Sequence, residues 1–190
     1  MLSETRKLQI TLGLALALLM AVTRGHHFAA IDALPAASWA VFFLAGLYFR
    51  PAWAFVAFIA EAALLDFAGM TWDGVVNLCG SPAYGFLLPA YGALWLSGRW
   101  LASRTELNSH NLVPLVASVL VGTAACEILS SGGFYYFSGR FAEPTLAEFG
   151  SRLVTYFPGD LQSTAFYVAI AAALHLTWKR FNDAHRPAKQ

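Results

Sequence analysis

Six long apolar runs, separated by short polar breaks, organise the chain: residues 8–22, 34–49, 52–70, 83–96, 112–129 and 161–178. Several fall short of the roughly 20 residues that cross a hydrocarbon core, so flanking residues must extend them or the bundle must thin the bilayer. Arg50-Pro51 divides the second run from the third, because proline is tolerated in a first helical turn but not inside a helix. The pattern predicts an all-α membrane protein, a bundle of six transmembrane helices forming a single domain over residues 1–190.

Composition supports that reading. Of 190 residues, 58% are hydrophobic and 12% charged, which excludes an ordinary soluble domain. The net charge of +1 gives no overall basic character to attract nucleic acid. Position says more than number. With the N-terminus inside, the inner segments carry Arg6, Lys7, Arg50, Arg99, Arg104, Lys179, Arg180, Arg186 and Lys189, against Arg24, Arg140 and Arg152 outside. That bias puts both termini on the cytoplasmic side. The basic start and the first run resemble a signal peptide, but no small-x-small site leads into a soluble domain, so the first run is expected to stay as a helix.

Chemistry concentrates near the outer ends of the runs. Asn77-Leu78-Cys79-Gly80-Ser81-Pro82-Ala83-Tyr84 reads as a tight loop, since Gly80 permits positive φ and Pro82 fixes φ and removes a donor. A soft sulfur on such a turn could catch a metal or a metal-bearing ligand. His26 and His27 follow the first run, Asp66 lies in the last turns of the third, Glu127 ends the fifth, and Arg152 and Asp160 precede the sixth. Ionisable groups within spans cost about 2.5 to 3.5 kcal/mol, so Asp66 and Glu127 should face the interior, either as helix-helix contacts, as a pair with Arg152, or toward a wet cavity. Glu61 is turned about 140° from Asp66 and serves another contact. Cys126, in an apolar run, reads as a small buried hydrophobe. Cys79 stays open between ligand and inert thiol.

Two stretches hint at surfaces. Ser130 to Asp160 reads as a long outer loop rich in aromatics, a cover over a cavity or an interfacial belt. Gly13, Ala17 and Ala21 recur every four residues, a stripe that lets a helix approach closely, within the bundle or from a partner. There is no Walker A motif, so an ATP-driven step needs other polypeptides, and no GxSxG, HExxH or triad spacing.

The six spans, the inner N-terminus, the alanine-rich first helix, the outer loop before the last helix and the Cys-Gly-Ser-Pro turn together resemble the S-components of energy-coupling-factor transporters. Among these the chain is most similar to the BtuM-type vitamin B12 proteins, over essentially its whole length, with Cys79 and Tyr84 the most specific part. The resemblance implies a bacterial inner-membrane carrier that binds cobalamin or cobinamide in an outward cavity, with Cys79 as axial cobalt ligand and His27, Asp66, Tyr84 and Arg152 as polar lining. It also implies either a solitary protein or an energising module docked on the Gly13/Ala17/Ala21 face. A coordinating thiol ionises and can displace the ligand already on cobalt, so Cys79 could assist loss of a cyano group. Two other classes remain open: a carrier for a different vitamin in which Cys79 is incidental, and a small intramembrane thiol enzyme.

Overall fold

The computed structural model describes residues 4–24, 34–73, 81–104 and 112–184. Among these residues there are six α-helices and no strand: α1 Glu4–Arg24, α2 Ser38–Tyr48, α3 Trp53–Asp73, α4 Leu87–Arg104, α5 Leu112–Phe137 and α6 Leu146–Ala184. A short 3-10 helix, Pro82–Phe86, leads into α4. Ser81 starts it, its hydroxyl accepting from Ala83 N at 3.2 Å, and Pro82 takes the first position, where a missing N–H costs nothing. The helices follow the six apolar runs in order.

The centre is α2. Val41, Phe42 and Phe43 are consecutive and wholly buried, which a helix achieves only when neighbours cover it all round. Small residues make that cover tight. A Cβ at Gly46 would overlap the Trp95 carbonyl, and one at Gly98 the Phe43 carbonyl, so α2 and α4 meet backbone to backbone. Phe42 stacks on Tyr91 of α4, ring centroids 4.3 Å apart, and meets Phe55 and Phe58 of α3 edge-on.

The helices alternate in direction. One end gathers Arg24, Ser38, Asp66 and Tyr84 by hydrogen bonds. At the other, Arg99 donates to the Arg50 carbonyl and His175 of α6 lies against Tyr48, centroids 5.9 Å apart. The outer surface is apolar: Leu14 is 67% exposed, Leu64 68%, Val113 78% and Val154 78%. Two stretches, Arg6–Arg24 and Leu112–Phe137, are long and apolar enough to cross a membrane.

The stretch 130–160, which reads in sequence as a long loop, is mostly helix. Helix α5 runs on through Ser130-Ser131-Gly132-Gly133 to Phe137, and α6 starts at Leu146, leaving only residues 138–145 between them. Serine and glycine are weak helix formers, but packing decides here. Ser130 Oγ donates back to the Cys126 carbonyl at 2.8 Å, and Gly133 lets Phe86 of the 3-10 helix press onto α5. The turn uses Gly139 at φ 71°, a left-handed conformation that glycine adopts freely. Thr145-Leu146-Ala147-Glu148 then opens α6: Glu148 N donates to Thr145 Oγ1 at 3.2 Å, and the Tyr135 hydroxyl bridges Thr145 N and Glu148 Oε2, each at 3.0 Å. Pro158 lies inside α6, where its missing N–H frees the Val154 carbonyl from its helical donor.

Candidate functional site

Two polar groupings occupy the same end of the bundle. The first forms around Arg24, in the last turn of α1. Its neighbour Thr23 ties α1 to the start of α2: Thr23 Oγ1 donates to the Leu19 carbonyl at 2.8 Å and accepts from Ala37 N at 3.1 Å. That brings Ser38 beneath Arg24.

Arg24 then makes a two-pronged pair with Asp66 of α3, Nε to Oδ1 at 2.7 Å and Nη2 to Oδ2 at 2.8 Å. Its Nη1 donates to Ser38 Oγ and to the Tyr91 hydroxyl, each at 3.0 Å. The Tyr84 hydroxyl donates to Asp66 Oδ2 at 2.8 Å. Four helices and the 3-10 helix therefore converge on one ion pair whose side chains are only 10% and 25% exposed. A guanidinium holding a carboxylate on both oxygens is the stronger kind of ion pair, and removing one member leaves the other charge in a poor solvent. The predicted residues Asp66 and Tyr84 are thus brought together, and Asp66 pairs with Arg24 rather than Arg152. In sequence Arg24 serves only to mark orientation. Its position at the end of an apolar run, level with Asp66, was the available signal.

The second grouping is a cavity of about 400 Å³. Trp39 of α2 forms one wall, Glu127, Ser130, Ser131, Phe134 and Tyr135 of α5 another, and Phe149, Arg152, Tyr156 and Asp160 of α6 a third, with Phe141 from the turn. Glu127 is 2% exposed and accepts from Ser131 Oγ at 2.7 Å, one turn on. Asp160 of α6 lines the same cavity as Glu127. Arg152 lies over the Phe141 ring, 4.5 Å from its centroid, and over Tyr135 at 5.5 Å, and its Nε meets Glu148 Oε1 at 3.5 Å. Rings, two carboxyls and a guanidinium around one space can hold a flat ligand that carries both hydroxyl donors and an anionic group.

The two groupings are neighbours. Phe86, two residues after Tyr84 in the 3-10 helix, stacks on Phe137 of α5 at 4.9 Å and presses on Gly133. Cys126 is wholly buried beside Glu127, as expected of a small apolar filler. Glu61 sits elsewhere, in a groove of about 430 Å³ between α1 and α3 with Arg6, Gly13 and Ala17. Gly13 also faces Phe49 within the bundle, so the small-residue stripe lies at the edge of a packed contact. His26, His27 and Cys79 lie outside the described residues. Neither protein-family models nor curated proteins yield a match to this chain.

Proposed function

We propose that the chain is a six-span carrier of a bacterial cytoplasmic membrane, both termini inside, that captures cobalamin or cobinamide at its outer end and passes it inward. In this reading Cys79 is the axial ligand to the cobalt of the transported corrinoid. The observation that carries it is the Tyr84–Asp66 hydrogen bond of 2.8 Å. It anchors the 3-10 helix, which begins three residues after Cys79, to the ion pair between the last turn of α1 and the C-terminal part of α3. The anchor thus holds the chain that follows Cys79 in sequence against α3.

The apolar exterior and the arginine and lysine bias support membrane insertion and its direction. The 400 Å³ cavity supplies aromatic walls and a few convergent polar groups beside that anchor, as ligand sites do. Thiolate coordination is a ligand exchange: the sulfur donates an electron pair to cobalt, and a cyanide on cobalt leaves as the anion with no change in oxidation state. Energy coupling follows one of two routes, a solitary carrier or an energising partner on the Gly13/Ala17/Ala21 edge of α1.

One observation favours a second reading. The cavity alone is smaller than a corrinoid, so a carrier for a more compact ring-bearing vitamin, with Cys79 incidental, is the competing function. The absorption spectrum of purified protein mixed with cyanocobalamin separates them. A shift in the cobalt bands for wild type that is lost in Cys79→Ser supports corrinoid coordination. Identical, unshifted spectra for both would remove it and leave the competing vitamin carrier.

A further inference from the structure

We propose that the outer third of α6, residues 146–157, is a gate over the α5–α6 cavity that swings about Pro158-Gly159 and is latched by Tyr135 of α5. Its purpose rests on the reading of that cavity as a ligand site, whatever ligand enters.

The two parts of α6 are packed differently. The helix has 39 residues, which at about 1.5 Å each make roughly 58 Å, about twice the thickness of a hydrocarbon core. Beyond Pro158 the bundle holds it: Thr164, Tyr167 and Val168 are buried, and the Tyr167 hydroxyl donates to the Pro35 carbonyl at 2.6 Å. Before Pro158, no residue from 146 to 157 is buried. Open space takes the place of packing there. The cavity of about 400 Å³ runs along Phe149, Arg152 and Tyr156, and a second space of about 210 Å³ runs along Leu153, Val154 and Phe157. Glu127 of α5 borders both. A helix with room on two faces can shift without breaking a core, and so opens at low cost.

The junction is built to bend. Pro158 leaves the Val154 carbonyl without its helical donor, and proline is a usual site of sharp helix bends. Gly159 follows, although a Cβ there would meet nothing within 4 Å, so packing does not require glycine. What glycine adds is backbone freedom. Ser163 Oγ and Thr164 Oγ1 donate back to the Gly159 and Asp160 carbonyls, each at 2.9 Å, a pattern that loosens and bends helices. At the far end the segment is fastened chiefly at one side chain. The Tyr135 hydroxyl accepts from Thr145 N and donates to Glu148 Oε2, each at 3.0 Å, and the Tyr135 ring faces Phe149 at 5.9 Å. A hinge at one end, a latch at the other and open space between them make a lid.

Hydrogen–deuterium exchange of the purified full-length protein without ligand, read by mass spectrometry, tests the motion. Pro158→Ala combined with Gly159→Ala gives the Val154 carbonyl its donor and removes the glycine's freedom, so exchange over residues 146–157 should slow roughly tenfold. Tyr135→Phe removes the latch and should speed the same exchange several-fold. Unchanged exchange over residues 164–176 shows that both variants are folded. Cyanocobalamin should bind to and leave the hinge variant several-fold more slowly than wild type, with little change in affinity. Exchange over residues 146–157 that neither variant alters overturns the gate, and so does wild-type association in a hinge variant whose exchange has slowed. Wild type that binds no cyanocobalamin removes the corrinoid reading, and the exchange result still decides the hinge.

Discussion

The Arg24–Asp66 knot and the Glu127–Asp160–Arg152 cavity use the same residue types at the same end of the bundle, yet they are built for opposite purposes. In the knot, Asp66 accepts from Arg24 on both oxygens and from Tyr84, and Arg24 also donates to Ser38 and Tyr91. Its polar groups are spent on one another, so they fix helices. In the cavity Arg152 has a long, exposed contact with Glu148 and rests on a ring, while the carboxyls border empty space. Its groups are held by packing and left with capacity for a ligand. A charged residue in an apolar helix therefore signals expense, and the partners decide whether that expense serves architecture or binding.

The contrast is broken most strongly at Arg24. Arg24→Leu leaves Asp66 partly buried without its cation, and breaking such a pair costs about 3 kcal/mol. The survival of monodisperse protein on heating in detergent should fall sharply. Adding Asp66→Leu removes the orphaned charge and should recover part of the loss. A single variant as heat-resistant as wild type would mean that the knot is ornamental.

A less severe test asks whether the two regions are mechanically joined through Phe86. A Cβ at Gly133 would overlap the Phe86 side chain, so Gly133→Ala forces the 3-10 helix away from α5 at a cost of about 1 to 3 kcal/mol. Tyr84, two residues from Phe86, should lose its hold on Asp66. Placing Gly133→Ala in a Phe86→Ala background should cost much less than the sum of the two, because the overlap is gone. Additive losses in that cycle would show that the 3-10 helix and α5 are independent.

Much of this arrangement is legible in the chain itself. The six apolar runs become six helices because long unbroken apolar segments leave the backbone no better solution, and Asp66 and Tyr84 announce themselves as polar residues toward the outer ends of apolar runs. Arg24 and the helical course of residues 130–160 are harder. Arg24 becomes informative only when α1 and α3 are laid side by side, which no local pattern specifies. Gly132-Gly133 reads as a helix breaker until Phe86 is known to need that space, a contact between residues far apart in the chain. One local sign was available: Thr145-x-x-Glu148 is a helix-start signature, and it marks where α6 begins.

The smallest expected change in stability is the most telling for the cavity. Arg152→Gln removes a partly exposed same-helix pair worth a few tenths of a kcal/mol and a cation–ring contact of similar modest size, for a total near 1 kcal/mol. Heat resistance should therefore barely move, in contrast to Arg24→Leu. On the function proposed above, cobalamin affinity should nevertheless fall several-fold, because Arg152 lines the cavity. A large loss of heat resistance in Arg152→Gln would place Arg152 with Arg24 among the residues that hold the helices together. The distinction between a knot that fixes and a cavity that binds would then fail at its clearest point.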